Sequence, residues 1–287
     1  MTTAAATSFI LTLACPDRPG IVHGVTGALA DEGANITEAQ QFNDAGTGLF
    51  FMRVQFDAPG RTLERLRAAL APLPGRFAAS HWSLAPLSER MRCAILVSHL
   101  GHCLNDLLFR WRTGLLPLDL CVVVSNHRDF EPLVDSYGLP YHHIPVGADD
   151  KPAAEARLLE VLEHQRIDLV VLARYMQILS DGLCERMAGR AINIHHSFLP
   201  SFKGAQPYRQ AFERGVKIIG ATAHYVTADL DEGPIIEQDI ARVDHSHDPA
   251  ELTAIGRDVE CAVLARAVKW HAERRVLIDR NKTVVFR

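Results

Sequence analysis

Residues 93–125, CAILVSHLGHCLNDLLFRWRTGLLPLDLCVVVS, decide the fold of the larger part of the chain. Cys93–Val97 and Leu120–Ser125 are short and almost wholly apolar, as strands buried on both faces of a parallel sheet are. Leu104–Thr113 between them carries its apolar residues at helical spacing, so the three make a βαβ unit. The pattern continues with a helix over Ala153–His164, a strand over Ile167–Ala173, a helix over Asp181–Met187 and a short strand over Ala191–Ile194. Ile218–Val226 followed by Gly233-Pro234-Ile235-Ile236 reads as an antiparallel pair. A long helix from Pro249 to about Glu273 and a last strand over Thr283–Phe286 complete an α/β, Rossmann-like domain.

Upstream lies a different rhythm. Phe9–Leu13 alternates as a strand, Ile21–Ala30 has helical spacing, and Ala34–Phe42 and Leu49–Phe56 flank the turn Asn43-Asp44-Ala45-Gly46. A helix over Thr62–Leu70 and a strand over Phe77–Leu84 make β-α-β-β-α-β, the ferredoxin-like arrangement. Pro72, Pro74, Gly75 and Pro86 punctuate its end. The reading is therefore two domains, 1–86 and 92–287, joined by a polar connector over 87–91. A length of 287 residues accommodates two cores.

Composition narrows the function. Up to Arg90 there are 7 basic and 8 acidic residues, and beyond it 23 and 26, so neither part is a basic nucleic-acid module. The six cysteines lack zinc-ligand spacing and read as reduced thiols. The N-terminus has no basic segment of a secretory signal and no apolar run approaches a bilayer's thickness, which points to the cytoplasm and away from a membrane. His142-His143 and His245-Ser246-His247 have no companion ligand at metal-site spacing, and no metal is expected.

Chemistry concentrates at Asn193-Ile194-His195, where a buried strand enters a loop. Alternation puts the Asn193 amide and the His195 imidazole on one side of the strand, able to converge on one substrate oxygen. Some thirty residues on, Asp229-Leu230-Asp231-Glu232-Gly233-Pro234 brings carboxylates into a turn, where one could orient a water or tune the histidine. Spacing alone does not choose between Asp229 and Asp231, and a Ser197–His196 nucleophile is a further arrangement of the same loop.

The longer strings NIHHSFLPSFKGAQPY (193–208), GATAHYVTADLDEGPII (220–236) and LARYMQILS (172–180) resemble the folate-dependent formyltransferase family and, within it, its deformylase branch. The resemblance implies Asn193, His195 and Asp231 as catalytic groups, with Asp231 selected by the LDEGP match. It also implies hydrolysis of 10-formyltetrahydrofolate to formate and tetrahydrofolate without cofactor or metal, folate being the substrate. Two loops of that family read the pterin; here they are Arg174, Met176, Gln177, Ile178 and Leu179, and Val226 to Asp229. Core packing is the plain alternative for Met176, Ile178 and Leu179. Lys203 before Gly204 faces either substrate or solvent. The first βα loop, Ser98 to Asp106, keeps one glycine where glycinamide ribonucleotide transformylases carry a phosphate cradle, which leaves water as the acceptor. His99 stands where the branch usually has Lys.

LACPDRPGIVHGVTGALADEGANI (13–36) resembles an ACT domain, an amino-acid-sensing module. Asp17, Arg18, Gly20 and Ile21 shape a loop at a helix start that offers N–H groups to a carboxylate, and Asn35 matches the ACT position that meets ligand or a neighbouring subunit. The resemblance implies a homodimer or homotetramer with glycine or methionine as effector, and formate supply for purine synthesis. Two rival functions stay open at this level: formyl transfer to glycinamide ribonucleotide or another amine, and an amino-acid sensor with an inactive catalytic domain.

Overall fold

The computed structural model describes residues 8–147, 150–197 and 207–287. Lys203 and Gly204 lie outside the described residues. The chain divides into two compact units, Met1–Arg90 with Arg274–Leu277 and Val284–Arg287, and Met91–Glu273 with Ile278–Thr283. The first unit thus takes in two C-terminal stretches that the sequence reading placed with the second domain. Their apolar side chains explain it, because Leu277 and Phe286 are buried in one cluster with Ala14 and Phe51.

The first unit runs β1 (Ser8–Pro16), α1 (Ile21–Asp31), β2 (Asn35–Asp44), β3 (Leu49–Asp57), α2 (Leu63–Leu70), α3 (Pro72–Phe77) and β4 (His81–Pro86). The antiparallel sheet has the order β2-β3-β1-β4, the ferredoxin-like arrangement expected. Central β1 is buried along nearly its whole length, and Leu11 and Leu13 pack with Val25, Leu29, Leu66 and Leu70 from the helices. The strand expected from Phe77 starts later, at His81. Pro72 at the first helical position nucleates α3, and Ala78 at φ 52° ends it in the left-handed region. Phe77 therefore enters the core from a helix, against bare Gly24, where a Cβ would come within 2.6 Å of its ring.

The second unit contains β5 (Met91–Val97), α4 (His102–Arg112), β6 (Leu118–Ser125), α5 (Glu131–Ser136), β7 (Tyr141–His143), α6 (Lys151–His164), β8 (Leu169–Leu172), α7 (Asp181–Arg186), β9 (Ala191–His195), α8 (Pro207–Glu213), β10 (Ile218–Tyr225), β11 (Ile235–Arg242) and α9 (Pro249–Ala272). β12 (Val276–Asp279) and β13 (Lys282–Val285) form a separate two-stranded ribbon. The seven-stranded sheet has the order β11-β10-β9-β8-β5-β6-β7, parallel from β9 to β7 and antiparallel at β10 and β11. His142 and His143, read as loop neighbours, lie in edge strand β7, whose three residues are too few to show a period.

Alternate residues of β5 and β6 (Ala94, Leu96, Val122, Val124) pack against α6. The intervening Cys93, Ile95 and Val97 are equally buried, so both sheet faces are covered, as the near-continuous apolar runs require. β5 leaves for β6 on one side and lies beside β8 on the other. That reversal opens a crevice at the carboxyl ends of the strands, the usual ligand position in such sheets. The β10–β11 hairpin is closed by Tyr225 N donating to the Pro234 carbonyl at 2.9 Å. Gly233 stands so close to the Tyr225 carbonyl that a Cβ would lie 1.7 Å from its oxygen. Gly233→Ala is expected to destabilise the chain by about 3 kcal/mol, the upper end of overpacking costs, since backbone must move. Urea unfolding with a midpoint equal to the parent's would contradict this packing.

Candidate active site

Strand β9 delivers Asn193 and His195 to the same side of the sheet, two residues apart. Antiparallel β10 sets Thr222 opposite His195 and His224 opposite Asn193. This register brings the Asn193 amide nitrogen 3.3 Å from Nε2 of His224. The His224 Nδ1–H donates to the Tyr225 carbonyl at 2.9 Å, so its Nε2 is the acceptor and the Asn193 amide the donor. One N–H of that amide is thereby used, and the other is left for a ligand.

After β10 the chain turns through Thr227–Asp231, with the Thr227 hydroxyl donating to the Asp229 carbonyl at 3.0 Å. Asp231 then adopts φ 59°, a left-handed conformation uncommon for a side-chain-bearing residue. Its carboxylate lies 3.2 Å from Nδ1 of His195 and 3.7 Å from Nε2 of His224. Spacing left Asp229 and Asp231 equal; the fold brings Asp231 to the histidines, while Asp229 is exposed and does not line the cleft. The hydrogen bond from His195 holds the Asp231 carboxyl far below the usual carboxylate range. A carboxylate so fixed keeps the His195 Nδ1 protonated. The other ring nitrogen, Nε2, is buried without a hydrogen-bond partner among the described residues, so a bound ligand can complete it.

These groups line a cleft of about 280 Å³, with Arg174, Met176, Gln177 and Ile178 on one side and Val226, Thr227 and Leu230 on the other. Met176, Ile178 and Leu230 are about 60% exposed, an apolar rim rather than core. Leu179 is partly buried against the core around α6 and lines a neighbouring, smaller cavity together with Gln177 and Ile178. Ser98 holds the 174–176 loop, its N–H donating to the Arg174 carbonyl at 3.2 Å and its hydroxyl accepting from Met176 N at 3.0 Å. His99 is exposed, lies 2.7 Å from an Asp129 oxygen and stacks on His127, away from the cleft lining.

Sequence reasoning missed His224, a lone histidine in an apolar strand whose role needs the β9–β10 register. It also missed Glu260 on α9, a buried carboxylate that meets His102 Nε2 at 2.8 Å and the Tyr208 hydroxyl at 2.6 Å. With Cys103, this is a group whose donor atoms lie within 4.8 Å of one another. Both carboxylate oxygens are already engaged and the Arg174 guanidinium stands 3.6 Å from one, so the group fits an ion-pair network better than a cation site.

In the first unit, Gly20 at φ 91° begins α1, Arg18 donates to the Arg76 carbonyl, and Asn43 donates to the Asp17 carboxylate. Asn35 pairs with Asp57 at the opposite end of the sheet, so within one chain it does not share a site with Asp17, Arg18, Gly20 and Ile21.

Comparison with known proteins agrees with this geometry. Residues 91–268 match the formyl transferase family and residues 9–71 the ACT domain. A formyltetrahydrofolate deformylase of Corynebacterium sp. (strain P-1) is 50% identical over 280 residues, 97% of this chain and 98% of the relative. The crystal structure of a formyltetrahydrofolate deformylase from Burkholderia mallei ATCC 23344 is 51% identical, with a TM-score of 0.95 over 98% of this chain and 100% of that one. A glycinamide ribonucleotide transformylase from Symbiobacterium toebii reaches a TM-score of 0.65 at 32% identity, over 69% of this chain and 95% of its own. A likeness that runs through both domains, where the transformylase matches only part of the chain, makes this chain a member of the formyltetrahydrofolate deformylase family.

Proposed function

We propose that the cleft hydrolyses 10-formyltetrahydrofolate to formate and tetrahydrofolate, with Asn193, His195 and Asp231 as the catalytic residues. The observation that carries the assignment is the Asp231–His195 pair at 3.2 Å with Nε2 of His195 unpartnered beside the Asn193 amide. The formyl oxygen takes the free N–H of Asn193 and the Nε2–H of protonated His195, donors already in place before charge develops. Asp231 orients the His195 ring through Nδ1 and holds the attacking water. As the C–O bond forms, the water's proton passes to the His195–Asp231 pair. As the C–N bond breaks, Nε2–H goes to N10, so the pair ends with the protons it began with. The formic acid released ionises in solvent. The pterin lies between the 174–178 loop and the 226–231 turn, whose backbone groups match its flat donor-acceptor edge.

The crowded start of α4 supports water, rather than a second substrate bearing a phosphate, as the acceptor. A Cβ at Gly101 would lie 2.3 Å from the Phe130 ring, and His102 is committed to Glu260. The reaction needs neither metal nor cofactor. Among the described residues no helix is long and apolar enough to cross a membrane, which fits work in the cytoplasm, and the formate would serve purine synthesis. In the first unit, edge strand β2 is free to pair with its copy about a two-fold axis. Antiparallel pairing would bring Asn35 of one copy to the Asp17–Ile21 end of the other. A glycine or methionine carboxylate could then bind at the start of α1 in a homodimer or homotetramer.

Formate release from 10-formyltetrahydrofolate by purified enzyme tests the assignment. Asp231→Asn should cut kcat by about 10³-fold and Asn193→Ala by about 10²-fold, with folate binding changed little. Asp229→Asn should stay near the parent, and a reversal of the two aspartates would assign the wrong carboxylate. Because folding lowers the Asp231 pKa, its ionised form stabilises the fold above about pH 4, and that contribution fades as pH falls further. Asp231→Asn should therefore lose less Tm than the parent between about pH 4 and pH 2. Parallel Tm curves would contradict a stabilising Asp231–His195 contact.

A further inference from the structure

We infer that Glu260 is a positioning residue for the hydrolytic site: it anchors Arg174 so that the guanidinium holds His196 in one neutral tautomer against the face of His195. The inference rests on the hydrolase reading above and extends it to a helix outside the cleft lining.

The start of α9 sets the geometry. Asp248 accepts from Ala250 N and Glu251 N at 2.7 and 2.9 Å while Glu251 accepts from Asp248 N at 2.8 Å, a reciprocal cap that fixes where the helix begins. Gly256 and Glu260, one turn apart, then share a face. Gly256 leaves room for the Tyr208 ring, since a Cβ there would lie 2.2 Å from it, and the Tyr208 hydroxyl reaches Glu260 Oε1 at 2.6 Å. Glu260 is 1% exposed. Its burial would raise its pKa, but the hydrogen bond from His102, the Arg174 charge and the Tyr208 hydroxyl overcome this and keep it ionised.

Glu260 Oε2 lies 3.6 Å from Arg174 Nε, and Arg174 NH1 donates to His196 Nδ1 at 2.6 Å. A guanidinium cannot accept, so His196 Nδ1 carries no proton and the ring is neutral. Burial first, then the Arg174 and His195 charges, draw its pKa down to about 4. The His196 ring stacks on His195 with centroids 4.9 Å apart. Arg174 itself is held at φ 64°, one of six side-chain-bearing residues in the left-handed region among those described; Asp231 is another. Left-handed backbone on both sides of the cleft needs surrounding structure to hold it; Ser98 holds the Arg174 backbone through its carbonyl, and Glu260 faces the guanidinium.

A neutral neighbour places no second positive charge against the face of His195. The charged and titratable groups that face His195 are Asp231 and His224 from β10 and its turn, His196 from its own strand's end, and Arg174 after β8. Behind Arg174 stand Glu260 on α9 and His102 on α4. Without the Glu260 charge, Arg174 loses its ion-pair partner, and His196 loses the fixed donor that selects its tautomer against the His195 ring.

Glu260→Gln tests this. The expected result is a kcat at neutral pH about tenfold below the parent with KM within about threefold. Long-range ¹⁵N spectra should show a single His196 tautomer with bare Nδ1 in the parent and a mixture in the variant. If Glu260→Gln does not fold, His196→Asn, whose side-chain oxygen can take the Arg174 donor, should keep most of the parent kcat, and His196→Leu should lose about tenfold. An unchanged kcat with an unchanged His196 spectrum in Glu260→Gln, or equal kcat for His196→Asn and His196→Leu, would overturn the inference. A parent enzyme that releases no formate would instead remove the hydrolase reading and leave the tautomer measurement standing.

Discussion

The carboxylate of Asp231, held 3.2 Å from one histidine and 3.7 Å from another, is the interaction around which the site is arranged. Three separate features of the chain meet there. The β9–β10 register puts His224 opposite Asn193, and Gly233 lets the hairpin fold back against the Tyr225 carbonyl. The left-handed backbone at Asp231 then turns its carboxylate toward β9. None of these is a strong interaction alone, but together they order a donor pair before substrate arrives. Such preorganisation is the larger part of stabilising an oxyanion.

The doubly wound sheet explains why these groups are so close to a cleft. Catalytic side chains sit on strand ends and the turns that leave them, with buried strands and helices packed behind them. Long helix α9 packs against β9, β10, β11 and α4, and from that layer Glu260 reaches Arg174 at the cleft wall. A buried ion pair contributes little net stability against an apolar replacement, so a charged group this deep is better explained by the orientation it imposes.

Much of this was legible in the sequence. Alternation placed Asn193 and His195 on one side of a strand, and the apolar runs over 93–97 and 120–125 implied a parallel sheet. What escaped depended on contacts between distant segments. His224 is unremarkable until β10 pairs with β9. Glu260 is an ordinary helical glutamate until His102, Tyr208 and Arg174 converge on it, 158, 52 and 86 residues away in the chain. Phe77 looked like a strand residue because aromatic character favours strands, but Pro72 and the turn at Ala78 had already committed it to a helix. Leu179 fits either cleft or core by character, and in the fold it is partly buried against the cluster around α6. Asp229 and Asp231 differ only in which one the turn directs at the histidines.

Hydrolysis, rather than transfer to an amine, is the central claim, and the fate of solvent oxygen tests it most directly. Turnover of 10-formyltetrahydrofolate in ¹⁸O-labelled water, with and without glycinamide ribonucleotide, should place one label in each formate released, at a rate the amine does not change. Unlabelled formate, or formylated amine appearing at the expense of formate, would contradict the account.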